Sequence, residues 1–413
     1  MKIKKIEVEN FKSYKKLSID FNNLNYIIGG NASGKSNFVS VLKFFSDIVE
    51  YGIDDAILLQ GGIKYLYNVN SHKGSCFKYY VSIVLPEKNS EIRRILPVKD
   101  GVYIPTVLDY TLKIKPNDRG EGYKVLNEVI NVSFNQLKKV KDDKFKKVGN
   151  YQLKLEKDSS GKVSDNLDER KFNDDNELMG IRYLVRYSKD KDNLLRGFFS
   201  TFSAIYDHYS RIKIYNFDVN LLKSPSSIVA RSELEENGSN LVNIIQQLLK
   251  NKIKKNKLNK IIKMILPFVN DINVENNVNK SVFFKLKETY NNKEFPSYML
   301  SDGTVNILAI IVSLYFQDYS DIIILEEPER NIHPKMLSKL VSLFEDVSFK
   351  KQIFVTTHNP YVLKEAKLED VILVSRIGNG DSKVTKPIND ERIMTFLKKD
   401  LGIEDLFVDG VLK

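Results

Sequence analysis

Leu24-Asn25-Tyr26-Ile27-Ile28-Gly29-Gly30-Asn31-Ala32-Ser33-Gly34-Lys35-Ser36-Asn37 is the stretch on which the fold turns. Leu24 to Ile28 is short and apolar and reads as a strand. It runs straight into Gly29 to Ser36, which fits the spacing G-x-x-x-x-G-K-[ST]. Beyond it, Val41, Leu42, Phe45, Ile48 and Val49 recur at helical spacing between Phe38 and Val49. Strand, glycine-rich turn and helix in that order predict a phosphate cradle. Glycines let successive N–H groups point inward. The helix N-terminus adds partial positive charge. Lys35 is expected to reach the β- and γ-phosphates of ATP, and Ser36 to ligate Mg²⁺. Gly29 to Asn37 together form the expected ATP-binding loop.

Three further strings share the chemistry. Asp321 to Glu329, DIIILEEPE, is an apolar strand that ends in carboxylates. Such a strand tip sets one carboxylate near Mg²⁺, here Glu326, and the next near the attacking water, here Glu327. Leu300-Ser301-Asp302-Gly303-Thr304 precedes an apolar helix from Val305 to Phe316. Ser301 and Gly303 would then sit at a helix N-terminus suited to an anion. The competing reading is an ordinary N-cap by Ser301 or Asp302. Ile353 to Pro360, IFVTTHNP, places His358 directly after another buried strand, where it could bond the γ-phosphate. His72, His208 and His333 stand outside any such set, and His333 reads as a loop residue ahead of Pro334.

The four motifs together resemble the ABC ATPase superfamily. KIEVENFKSYKKLSIDF followed by NYIIGGNASGKSN resembles the RecF and structural-maintenance-of-chromosomes (SMC) branch. LSDGT, EEPERNIHP and TTHNPYVL resemble ATPases of the overcoming-lysogenisation-defect class and their stand-alone relatives. The resemblance covers roughly the first 80 residues and 210–413. It implies an α/β head of mostly parallel sheet plus an antiparallel β subdomain, with an inserted, largely helical lobe. Residues 1–124 would carry the phosphate loop, 125–208 the lysine-rich insertion, and 209–413 the signature, carboxylate and histidine motifs. It also implies a homodimer with ATP held between Lys35 of one subunit and Ser301 of the other. Lys12 and Ser13 would lie near the nucleotide, Gln60 would be the Q-loop residue, and Glu329 to Asn331 the loop that crosses the dimer interface. The function it implies is an ATP-driven switch in bacterial anti-phage defence that controls a separately encoded effector. The alternative is a DNA-binding ATPase clamp in repair or recombination. Ser301 lies 266 residues after Lys35, which disfavours a transporter subunit. The insertion has no sustained heptads, so long coiled-coil arms are not expected. Only 55 residues follow His358, too few for the C-terminal nuclease domain of full-length members of that class. No guanine-recognition motif Asn-Lys-x-Asp occurs, which disfavours a GTPase.

Bulk properties set the remaining bounds. The longest apolar stretch, Val305 to Phe316, is interrupted by Asn306 and Ser313 and is too short to span a bilayer. The N-terminus MKIKKIEVENF has no signal-peptide core. Cys76 is the only cysteine, so no internal disulfide can form. These features predict a cytoplasmic protein with no membrane partner. The net charge of +11 admits DNA as a partner, or reflects lysine-rich composition alone. Residues 250–263, KNKIKKNKLNKIIK, concentrate that charge. Ile253, Leu258, Ile261, Ile262 and Ile265 would form the apolar face of a helix there, leaving the lysines solvated.

Overall fold

The computed structural model describes residues 1–72, 74–86, 101–117, 122–140, 145–166, 193–201, 212–227, 233–276, 281–290, 293–391, 393 and 403–408. The chain folds into two compact units that interleave along the sequence. The first takes 1–21, 32–211 and 374–384, and the second takes 22–31, 212–373 and 385–413.

The first unit is built on a seven-stranded antiparallel sheet. Its strands are β1 (Lys2–Phe11), β2 (Tyr14–Asp20), β4 (Phe77–Val84), β5 (Gly101–Pro116), β6 (Tyr123–Lys139), β7 (Phe145–Asp158) and β8 (Val163–Asp165). They lie in the order β2-β1-β4-β5-β6-β7-β8. Apolar residues alternate along them. Leu108, Tyr110, Leu112 and Ile114 are buried on β5, Ile130, Val132 and Phe134 on β6, and Leu153 and Leu155 on β7. Period-two burial of this kind is what an antiparallel sheet with one covered face requires. Helix α1 (Lys35–Tyr51) buries Phe38, Val41, Leu42, Phe44 and Phe45. Phe44 meets Phe77 and Tyr79 edge-to-face at 5.8 and 5.3 Å between ring centroids. Three short helices also belong to it among the described residues: α2 (Ile53–Leu59), α3 (Ile63–Leu66) and α4 (Leu194–Thr201).

The expected helical lobe is corrected here. Within 125–208 the described residues form most of β6, then β7, β8 and the single helix α4. The reason is the two-residue alternation of β-branched and aromatic side chains just described, which fits a strand and not a helix. Residues 141–144, 167–192 and 202–208 of that insertion, His208 among them, lie outside the described residues.

The second unit carries a parallel sheet of β3 (Leu24–Ile28), β9 (Ile212–Tyr215), β14 (Ile322–Glu326), β15 (Gln352–Thr357) and the start of β16 (Val371–Arg376). The order across it is β16-β3-β15-β14-β9. The strand β17 (Ser382–Thr385) belongs mostly to the first unit. Both β3 and β15 are buried at every position, and β14 at every position but Glu326. This is the signature of strands covered on both faces. A small antiparallel sheet pairs β12 (Ser281–Glu288) with β10 (Ser226–Ser227), β11 (Val269–Asn276) and β13 (Glu294–Pro296). Helices α5 (Val219–Lys223), α6 (Leu241–Lys250), α7 (Lys252–Ile265), α8 (Asp302–Tyr315), α9 (Leu337–Ser348), α10 (Pro360–Glu365) and α11 (Ile403–Val408) surround these sheets. The helix α8 is buried all round from Thr304 to Leu314, as its unbroken apolar character predicts. On α7, Leu258, Ile261, Ile262 and Ile265 are buried as expected, but Ile253 is 80% exposed. It lies roughly 140° around the helix from Leu258, given about 100° per residue. No helix among the described residues is long and apolar enough to cross a membrane.

Candidate nucleotide-binding site

The register of the parallel sheet brings three motifs to one edge of the second unit. Ile28 of β3 pairs with Thr357 of β15, and Thr356 of β15 pairs with Glu326 of β14. The strands are parallel, so Gly29, Glu327 and His358 each follow immediately at the same carboxyl end. Carboxyl ends of parallel strands are where α/β sheets bind ligands. Buried β-branched runs fix this register, because the strands have no polar face on which to slip.

Glu327 is the most constrained residue at that edge. Its φ is +45°, a left-handed conformation rare for a residue with a side chain. The turn is held by its own N–H, which donates to the Thr356 carbonyl at 2.9 Å and to Thr356 Oγ1 at 3.2 Å. One carboxylate oxygen, Oε2, accepts from Arg330 at 2.7 Å. The other, Oε1, lies 3.2 Å from His358 Nδ1. Burial would push this carboxyl up, but the Arg330 guanidinium and His358 outweigh it and hold it below the usual carboxylate range. Two residues on, Glu329 is buried and bonded to the Thr357 hydroxyl, and burial pushes its carboxyl up. Glu326 closes β14 in a half-buried position.

The rest of the loop, Ala32 to Asn37, belongs to the first unit. Gly34 stands at the head of α1 with φ +117°, so no side chain caps that helix. A side chain at Gly34 would collide with Ser382. Lys35 opens the helix and is buried, and no acidic residue lies in the first turn. A seventeen-residue helix with this N-terminus favours an anion. Four residues brace the loop. Ser382 Oγ donates to the Ser33 carbonyl at 2.7 Å, Tyr14 OH to the Gly34 carbonyl at 2.9 Å, and Arg376 Nε to the Ala32 carbonyl at 2.8 Å. Asn37 Nδ2 donates to Ser13 Oγ at 2.8 Å. Ser13 is thus placed against the loop. Lys12 reaches α1, where its Nζ donates to Ser40 Oγ at 3.1 Å. Gln60 is buried and its amide donates to Asp47 Oδ2 at 3.4 Å, which ties it to α1. Tyr14, Arg376 and Ser382 carry no signal in the sequence, because what they contact is backbone carbonyl.

In the second unit, Ser301 is the N-cap of α8, its Oγ accepting from the Thr304 N–H at 3.2 Å. This is the capping geometry of the competing reading. Gly303 is required by close approach, since a side chain there would sit 2.5 Å from the Asn331 carbonyl oxygen. The expected interface loop is therefore packed on the signature helix, and Asn306 Nδ2 secures it by donating to the Pro328 and Arg330 carbonyls at 2.9 Å. His333 caps the turn that starts α9, accepting from the Lys335 N–H at 3.2 Å.

Ser36, in the first turn of α1, and Glu326 are both oxygen donors of the kind that suit Mg²⁺, which needs few protein ligands when phosphate supplies the rest.

Comparison with known proteins agrees with this reading. The chain is similar to the DNA replication and repair protein RecF of Lactococcus lactis, 45% identical over 47 residues, or 11% of this chain and 13% of that protein. It is 32% identical over 80 residues to the Septu protein PtuA of Bacillus thuringiensis, 19% of this chain and 18% of that protein. The matched stretches thus span less than a fifth of the curated relatives. The structure of the SMC head bound to the C-winged helix domain of ScpA has a similar fold, with a TM-score of 0.52 at 14% identity over 93% of this chain and 98% of that one. An SMC head from Pyrococcus furiosus gives 0.50 at 13% identity over 96% and 98%. The fold is that of an SMC-type ATPase head. The AAA ATPase domain family matches residues 1–363, and the chain belongs to it.

Proposed function

We propose that this chain binds and hydrolyses ATP with Mg²⁺ and uses the cycle as a switch. The observation that carries this is the shared strand edge at which Gly29, Glu327 and His358 emerge, with Glu327 and His358 in contact. Gly29 to Asn37 wrap the phosphates, and Lys35 neutralises their charge. Glu327 takes a proton from water as the water oxygen attacks the γ-phosphorus. The bond to the ADP oxygen breaks and phosphate leaves. His358 positions Glu327 and contacts the γ-phosphate. Ser36 and Glu326 would hold Mg²⁺, which would supply positive charge against the phosphates.

The finer reading places the chain with the stand-alone relatives of the overcoming-lysogenisation-defect class. Its role would be anti-phage defence through a separately encoded effector, in the cytoplasm, as an ATP-dependent homodimer. The Glu326-Glu327 pair, the His358-Asn359-Pro360 string and the similarity to Septu PtuA support it. A DNA-binding clamp in repair is the second reading, supported by the similarity to RecF and by the lysines of α7. The test is Glu327→Gln. It should retain ATP and lower turnover by about a hundredfold, the usual scale for loss of general-base help. Turnover at the wild-type rate would overturn the assignment. Lys35→Ala should abolish ATP binding. Expressed with its gene neighbours, the Glu327→Gln chain should lose phage protection under the first reading and survival of DNA damage under the second.

A further inference from the structure

Three consecutive peptide units of the nucleotide loop are gripped by their carbonyls. The Ala32 carbonyl accepts from Arg376 Nε at 2.8 Å, the Ser33 carbonyl from Ser382 Oγ at 2.7 Å, and the Gly34 carbonyl from Tyr14 OH at 2.9 Å. In a planar trans peptide the N–H points away from the C=O. Holding these carbonyls therefore turns the N–H groups of Ser33, Gly34 and Lys35 away from the three side chains. Successive N–H groups set in this way are what a phosphate cradle is made of. The backbone needs the hold. Ala32 has φ +59°, rare for a residue with a side chain, and Gly34 has φ +117°. Conformations of this kind persist where the surroundings over-determine them.

Two of the three grips come from one short segment, 376–382, which lies beyond the 1–363 family match. It turns back on itself. The Gly380 N–H donates to the Ile377 carbonyl at 2.8 Å, and the Ile377 N–H to the Asp381 carbonyl at 2.9 Å. Arg376 also donates to the Gly380 carbonyl across this turn. The Ser382 N–H donates to the Ser13 carbonyl at 2.7 Å. The anchor of the segment is Asp381, which is 2% exposed. Its Oδ1 accepts from the side-chain amides of Asn68 at 3.1 Å and Asn70 at 2.9 Å, and its Oδ2 from that of Asn379 at 2.7 Å. All these residues belong to the first unit. We propose that Arg376 and Ser382 are positioning residues that pre-form the phosphate cradle, with Asp381 as their anchor, so that nucleotide affinity is set through a segment that acts on backbone carbonyls. This rests on the reading of Gly29 to Asn37 as the ATP loop.

Calorimetric titration of the full chain with ADP, together with steady-state ATP turnover, tests the proposal. In Arg376→Ala and in Ser382→Ala one carbonyl loses its donor. The Kd for ADP and the KM for ATP should each rise about three- to tenfold, the scale of one hydrogen bond. The kcat should stay within about twofold, because a cradle binds substrate and transition state alike. Arg376→Lys should recover most of the loss, since an ammonium can donate to the Ala32 carbonyl. Asp381→Asn sets donor against donor whichever way the new amide turns. Asn68 and Asn379 cannot turn to suit it, because they are fixed by the Lys12 carbonyl at 2.8 Å and the Asp381 N–H at 3.0 Å. This variant should weaken ADP binding as well, although the Asp381 side chain bonds no loop carbonyl. Wild-type affinity in both alanine variants would overturn the proposal and leave the ATP loop standing. A fall in kcat as large as the rise in KM, or a loss that Arg376→Lys does not recover, would also overturn it, since the contacts would then serve stability alone. A wild-type chain that binds neither ADP nor ATP would overturn the reading of the loop itself, and the proposal with it.

Discussion

Glu327 sits between two partners, and only one of them suits a base. His358 can share a proton with water or phosphate, but Arg330 occupies Oε2 as a bidentate cation and lowers its basicity. In the proposed reaction this contact masks the base. Arg330→Ala should therefore raise basal turnover severalfold. It should also move the acid limb of the pH–rate profile to higher pH, because the carboxyl must be ionised to act and loses the cation that keeps it so. Initial rates across the acid range decide it, and a limb that stays put or moves to lower pH would contradict the masking role. At this scale the sequence was readable where chemistry demands a residue type. Lys35 opens α1, and Glu327 and His358 each directly follow a buried strand, as their strings suggest locally. Arg330 lies inside the quoted EEPERN string, yet its hold on Glu327 was invisible. It depends on the left-handed turn at Glu327, and nothing in a string of letters shows that φ is positive.

At the scale of elements, buried strands were easier to read than exposed ones. The runs Leu24 to Ile28, Ile322 to Leu325 and Ile353 to Thr356 are apolar without a break and formed β3, β14 and β15. In β6 and β7, lysine and asparagine interrupt the apolar positions, and the two-residue period is hidden unless those are read as the open face. The lysines of α7 were legible as a cluster but not as partners. Lys255 pairs with Asp271 at 3.4 Å, and Lys257 lies 5.1 Å from the Phe316 ring centroid. Glu128 gives β6 a measurable signature. Burial pushes its carboxyl up to about 7, against the bonds from Leu194, Tyr110 and Leu195 and the charge of Lys157. The folded state thus favours the protonated form. The stability this confers is fully present below the unfolded value of 4.5 and is lost as pH rises through about 7. The shift corresponds to at most about 3 kcal/mol. Denaturant midpoints of the wild type should fall between these two values, and Glu128→Gln should flatten that fall. A variant with the same slope as the wild type would show that another group titrates.

For the whole molecule, the limit on reading was long-range pairing. The sequence suggests a head joined from its two ends, and the chain returns to each compact unit from distant positions. Ser13 accepts the N–H of Ser382 at 2.7 Å across 369 residues, and Asn22 Nδ2 donates to the Glu369 carbonyl at 2.8 Å across 347. Pairings at such separations leave no local periodicity. The same scale carries the assembly prediction. Lys35 lies in the first unit and Ser301 in the second, and in the proposed dimer they meet one γ-phosphate from different subunits. Ser301 caps α8, so the N-terminus of that helix is held by the chain's own hydrogen bond. A helix end ordered in this way lowers the entropic cost of closure. Glu327→Gln should then accumulate as a dimer with ATP and Mg²⁺, since hydrolysis no longer opens it. Ser301→Arg should bind ATP as the wild type does but stay open, because a bulky cation blocks the helix end and its cap bond is lost. Loss of that cap costs about 1 kcal/mol, too little to unfold the unit, so binding and closure can be separated. Light scattering with and without ATP reads the mass. Cysteines placed beside Ser301 and Gly30 provide a second readout, because their crosslink between subunits should depend on ATP even where another contact already holds the dimer together. If neither the mass nor the crosslink responds to ATP, Ser301 is a helix cap and nothing more.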